Sequence, residues 1–223
     1  RENKTAKISV EGAEVVLKQG EWSDWLRVKF RMVPGLVGVN AIFRFYLKEV
    51  NPNFKLYMTP LQIDPENPAM PISTPAKWSR ELAQELGLFY TQGLPEDTKA
   101  YSGEVFTAHE FWEQSQSIYR ERRRALDYFL DRFQEGVLFF YFGSTDQCSH
   151  MLWHCFDEKH PFHRPEEGLA DGLRTVYSEM DETLGHVLDV IGDDTTLFIM
   201  SDHGFAPFYR GVNLNTWLLE KGC

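Results

Sequence analysis

The feature that most constrains the fold is a pair of apolar runs that each stop on an acid. "GVLFFYFGSTD", residues 136–146, and "TTLFIMSD", residues 195–202, are continuous hydrophobic stretches of strand length. A run without polar alternation fits a strand buried on both faces, the condition of parallel strands held between helix layers. Between the two runs, residues 166–191 carry helical periodicity, so strand, long helix, strand reads as a βαβ crossover. Residues 76–223 are therefore expected to form part of an α/β sandwich, with parallel strands and flanking helices.

Residues 1–63 follow a different period. "KISVEG", "AEVVLKQG", "LRVKFRM", "AIFRFYLKEV" and "FKLYMTPLQI" alternate or cluster β-branched and aromatic residues between Gly, Pro and Asn turns. "IDPENPAMPISTP" follows, and its repeated prolines exclude regular helix or central strand. Residues 1–75 are expected to be a β-rich insertion with a proline-rich connector, mostly antiparallel, beside an α/β core of residues 76–223. In "AKWSRELAQELGLF", Trp78, Leu82, Leu86 and Phe89 fall at helical spacing, and Gly87 weakens the end. A longer helix is expected over 107–134, with Phe111, Ser115, Ile118, Arg122, Ala125 and Phe129 as its stripe and Thr107 and Glu110 as a capping box.

Ligands of open α/β sheets bind beyond the carboxyl ends of the strands. "GSTDQCSHMLWH" supplies Asp146 and His150 there, one turn apart on one face if the chain becomes helical. "SDHG" supplies Asp202 and His203, and Gly204 is expected to permit the sharp turn that lets both reach one site. Two Asp and two His suit zinc or manganese better than calcium, which takes oxygen donors alone. The four side chains are expected to converge at the carboxyl edge of one sheet. His154 extends the same helix but has Trp153 and Phe156 around it; His160 and His163 lie in a proline-punctuated loop, and His186 falls inside a helix. "YRERRR", residues 119–124, reads as a solvated helix face with Arg122 partly covered.

The net charge of −10 argues against a nucleic-acid duplex as partner, so an anionic substrate needs a local source of positive charge such as a metal. No apolar stretch has the length of a membrane-spanning helix. Three cysteines, Cys148, Cys155 and Cys223, show no C-x-x-C spacing and read as reduced thiols, which favours a cytoplasmic setting.

The segments "FGSTDQCSHMLWH" and "FIMSDHGF" resemble the alkaline phosphatase superfamily, and within it the type I phosphodiesterase and nucleotide pyrophosphatase branch. "RFYLKEV", "LYMTPLQIDPENPAMPISTP" and "ELGLFYTQGLPEDT" extend that resemblance over nearly the whole chain. "SDHG" occurs in sulfatases and cofactor-independent phosphoglycerate mutases as well. An Asp with His four residues on, followed by that motif, favours the two-metal phosphate branches. The resemblance implies two divalent ions, zinc or alternatively manganese, with Asp146 and His150 on one and Asp202 and His203 on the other. It implies a metal-dependent phosphoric ester hydrolase that works through a covalent phospho-enzyme on a phosphate-ester small molecule or a lipid or glycan headgroup. The branch also uses an early Asp, a Thr or Ser nucleophile and a late His that have no counterpart here. A chain that starts at Arg1 without an initiator Met is therefore expected to be a piece of a longer enzyme, inactive alone and poor at holding metal. A sulfatase or phosphomutase of the same superfamily, or a non-catalytic module whose β-rich segment binds a glycan or a protein, are the alternative readings.

Overall fold

Alternation decides the first hairpin. Strands β1 (Thr5–Val10) and β2 (Ala13–Lys18) pair antiparallel, with Val10 opposite Ala13. Ala6, Ile8 and Val10 turn toward the core while Lys7 and Ser9 stay in solvent. The loop between them, Glu11–Gly12, has φ of 44° and 87°, the positive values at both positions that a two-residue type I′ turn requires. In the computed structural model, which describes residues 4–33, 37–165 and 168–222, this hairpin opens the first of two compact units, Arg1–Asp97 and Thr98–Cys223.

The rest of the first unit adds β3 (Glu21–Trp22), β4 (Leu26–Val33), β5 (Val37–Phe43), β6 (Phe45–Glu49), β7 (Lys55–Met58), β8 (Gln62–Ile63) and helix α1 (Trp78–Leu86). They form two three-stranded sheets, ordered β3-β6-β7 and β4-β5-β8, with antiparallel pairing throughout. The core collects Leu17, Val28, Ala41, Phe43, Phe45 and Leu47, with the Phe43 and Phe45 rings edge to face at 5.1 Å. Burying each of the larger side chains, Leu, Val and Phe, contributes about 1.5–3 kcal/mol. Arg44, between those two rings in sequence, leaves the core. Its Nε donates to the Ser23 carbonyl at 2.8 Å, and its guanidinium lies over Trp22 at 5.4 Å.

Polar anchors hold the proline-rich passage. The buried Gln62 carboxamide oxygen accepts from the backbone N–H groups of Thr91 and Gln92 at 3.0 and 2.9 Å. Ser79 Oγ donates to the Pro65 carbonyl at 2.9 Å. That bond turns α1 so that Ser79 and Ala83 are buried and Trp78 is exposed, which displaces the expected stripe by one residue. The helix stops at Gly87, whose φ of 86° only glycine adopts freely.

The second unit contains α2 (Thr98–Ser102), α3 (Ala108–Leu130), α4 (Ser144–Phe156), α5 (Gly172–Val190) and α6 (Leu214–Glu220). The capping box of α3 is formed as its sequence predicts: Thr107 Oγ1 accepts from Glu110 N at 3.2 Å, and Thr107 N donates to Glu110 Oε2 at 2.7 Å. Phe111, Ser115 and Ile118 are buried as expected. Beyond them the buried stripe moves to Tyr119 and Leu126, leaving Arg122, Ala125 and Phe129 half-buried. Tyr119 explains the drift, because its hydroxyl donates to the Glu179 carbonyl of α5 at 2.9 Å. Helix α5 starts later than the expected 166, and residues 166 and 167 lie outside the described residues. His186 bridges α5 to α3, its Nε2 3.0 Å from Asp127 Oδ1.

The two apolar runs differ from expectation. Residues 136–142 alternate as a strand would: Leu138, Phe140 and Phe142 are half-buried, with Phe140 6.4 Å from Phe129 and Phe142 6.2 Å from Tyr119. Val137, Phe139 and Tyr141 point away and are 93%, 75% and 56% exposed. Residues 195–201 show no such alternation and are exposed throughout, Phe198, Ile199 and Met200 among them. Neither run joins a ladder among the described residues, where every ladder is antiparallel. The described residues thus do not show the expected parallel pair, and α4 takes up the acid end of the first run from Ser144 onward. The architecture is mixed α/β, and no helix among the described residues is long and apolar enough to cross a membrane.

Candidate metal centre

Helix α4 follows the turn at Gly143 and puts Asp146 in its first turn, where the free N–H groups and the helix dipole favour a negative charge. His150 sits one turn further along the same face. The helical spacing read from the sequence is therefore realised, with His150 Nε2 3.4 Å from Asp146 Oδ1. His203 arrives from the segment after α5 and brings its Nε2 to 3.6 Å from the same oxygen. The donor atoms of Asp146, His150 and His203 all lie within 4.8 Å of one another. Ligands of a tetrahedral ion bound at about 2.0 Å are roughly 3.3 Å apart, so this trio fits one divalent cation of the zinc type.

Neighbouring groups orient the donors. Gln147 Nε2 donates to Asp146 Oδ2 at 2.8 Å, leaving Oδ1 for the two imidazoles. His203 Nδ1 lies 3.1 Å from the Gly204 carbonyl; with the proton on Nδ1, the lone pair is on Nε2, the atom that faces Asp146. Ser201 Oγ donates to the His203 carbonyl at 2.6 Å. Asp202 has a separate position: its carboxylate is 90% exposed, and its Oδ1 is 3.9 Å from His203 Nε2. Asp146 is the most enclosed of the four, with 29% of its side chain exposed.

The chain bends at Asp202. The φ of Gly204 lies outside the left-handed region, and an added Cβ would meet nothing within 4 Å. The residues that follow pack against the histidines. Phe205 packs its ring 4.9 Å from His150, 5.4 Å from His203 and 6.3 Å from Trp153, nearly parallel to the last at 21°. Tyr209 O–H donates to Asp157 Oδ2 at 2.7 Å. That bond, with help from the Lys159 N–H, holds the Asp157 carboxyl below its ordinary range, and the Tyr209 phenol is correspondingly held above its own.

His154, His160 and His163 make contacts outside the trio. His154 stacks on Tyr101 at 6.2 Å and 18°, with Nε2 3.1 Å from the Tyr101 hydroxyl and 3.4 Å from Cys155 Sγ. His163 Nδ1 lies 2.9 Å from the His154 carbonyl, and His160 Nδ1 accepts from the Phe162 N–H at 3.2 Å. Sequence reasoning overlooked Phe205, Trp153 and Tyr209 as parts of the site. The available signal was the cluster of aromatics directly after "SDHG".

Compared with known proteins, residues 38–222 match the model of one family, described as type I phosphodiesterase / nucleotide pyrophosphatase. No curated protein and no solved structure matches the chain.

Proposed function

The chain belongs to the type I phosphodiesterase / nucleotide pyrophosphatase family of the alkaline phosphatase superfamily, and from that premise we propose that it carries part of the metal centre of a phosphoric ester hydrolase. The observation that carries this reading is the meeting of Asp146, His150 and His203 donors within 4.8 Å. These three would hold one divalent ion, zinc or manganese, and the exposed Asp202 carboxylate is the donor left for a second. When bound, the ions supply the positive charge that an acidic protein needs to draw in an anionic phosphoryl group and to stabilise its leaving oxygen.

The chain's own residues set the terms. One carboxylate and two neutral imidazoles leave a net positive charge on an occupied site. The Gly204 carbonyl fixes the tautomer of His203, and Gln147 fixes the rotation of Asp146. The covalent phospho-enzyme step needs a nucleophilic hydroxyl, which none of the four candidate ligands provides, so the chain's part is metal holding. Residues 137–142 and 195–201 are proposed as strands of the superfamily's parallel sheet, a reading supported by the alternating exposure from Val137 to Phe142.

The test is hydrolysis of a chromogenic phosphodiester by the complete protein, stripped of metal and then reloaded with zinc or manganese. Turnover should disappear with the metal and return with it. Activity that persists without metal, or survives Asp146→Ala, would overturn the reading. In the same assay, the 223 residues alone are expected to give no turnover.

A further inference from the structure

We propose that Tyr209 and Asp157 are positioning residues for the metal centre, their hydrogen bond fastening the segment that carries His203 along one face of α4. This rests on the reading of Asp146, His150 and His203 as metal ligands. The geometry is a line of contacts. His203 meets Asp146, Phe205 meets His150 and Trp153, and Tyr209 meets Asp157. Positions 146, 150, 153 and 157 are separated by four, three and four residues, the spacing of a single helical stripe that ends at the α4 C-cap. The segment after His203 thus runs the length of that stripe and is pinned at both ends.

The far pin is itself held rigid. Asp157 Oδ2 also receives the Trp153 indole N–H at 3.4 Å, and Asp157 Oδ1 receives the Lys159 N–H at 2.9 Å. Trp153 therefore belongs to both contacts, stacking on Phe205 and hydrogen-bonding the acid that holds Tyr209. Residues 195–212 have no ladder among the described residues, so side chains must order this stretch. An imidazole on a loose chain must be ordered when a metal binds, and that cost lowers affinity. With the segment already fastened, His203 waits beside Asp146. Outer partners of this kind typically change metal affinity 10–100-fold.

The experiment pairs cobalt(II) titration, followed by the visible absorption of the coordinated ion, with backbone NMR order parameters of the metal-free 223-residue chain. Tyr209→Phe keeps the ring and removes the donor. It should weaken cobalt binding about tenfold and lower the order parameters over 203–209 while α3 is unaffected. Asp157→Asn keeps an oxygen for the phenol O–H but loses the acceptor of the Lys159 N–H, so it should fall between wild type and Asp157→Ala in both measurements. Wild-type cobalt affinity in Tyr209→Phe, or unchanged order parameters over 203–209, would overturn the positioning role. A wild-type chain with no cobalt band for His203→Ala to remove would overturn the metal reading instead. The order-parameter comparison requires no metal and then decides the latch alone.

Discussion

Replacing Asp146 with alanine should abolish divalent-metal binding by this chain. Its Oδ1 is the shared point of the cluster, 3.4 Å from His150 Nε2 and 3.6 Å from His203 Nε2. It is also the only negative charge of the trio. Without it, two neutral imidazoles on different segments must hold a doubly charged ion with no carboxylate to offset that charge. The loss should exceed the 10–100-fold that outer partners cost, since a direct ligand is removed. Competition between the chain and a chromogenic chelator for zinc reads the affinity. His203→Ala and His150→Ala should each weaken binding, and Asp202→Ala should weaken it least, because Asp202 stands outside the trio. An Asp146→Ala chain that holds zinc as tightly as wild type would show that the cluster is not the site.

The largest effect on stability should come from Phe111→Ala in the second unit. Phe111 is fully buried on α3, and its ring stacks on Tyr101 of α2 at 5.4 Å and 30°. Tyr101 in turn stacks on His154 of α4, so the phenylalanine supports one end of a column that crosses three helices. Truncation removes the transfer free energy of the ring and leaves a cavity that helices fixed by a capping box and by the Tyr119 bond can close only in part. Such changes cost about 3–5 kcal/mol. Urea unfolding monitored by far-UV circular dichroism measures the loss, and a change below about 1 kcal/mol would mean that the site collapses freely.

What the sequence made legible was local and periodic. The capping box of Thr107 and Glu110, the short strands "KISVEG" and "AEVVLKQG" and the turn-spaced pair Asp146 and His150 each depend on residues a few positions apart. Tertiary contacts then moved what periodicity alone could not fix. Ser79 rotated α1, and Tyr119 rotated the buried stripe of α3 through its bond to Glu179. The pairing of 136–142 and 195–201 was not legible, because hydrophobicity predicts burial and says nothing of ladder partners. The chain does bend at Asp202, but Gly204 takes no left-handed φ there, since a glycine in a motif signals only permitted conformations. Phe205 and Tyr209 escaped notice because irregular backbone has no period to read.

The outward row Val137, Phe139 and Tyr141, with Phe198, Ile199 and Met200, also has a colloidal consequence. Contiguous bare apolar side chains are adhesive toward their own kind. In this chain the opposing force is long-range repulsion from a net charge of −10. That repulsion reaches about 30 Å in 0.01 M salt and about 8 Å at physiological ionic strength. Dispersed particles should therefore persist in dilute buffer and cluster as salt is added, a trend that light scattering would follow directly. Electrolyte therefore sets how concentrated a clear solution of these 223 residues can become.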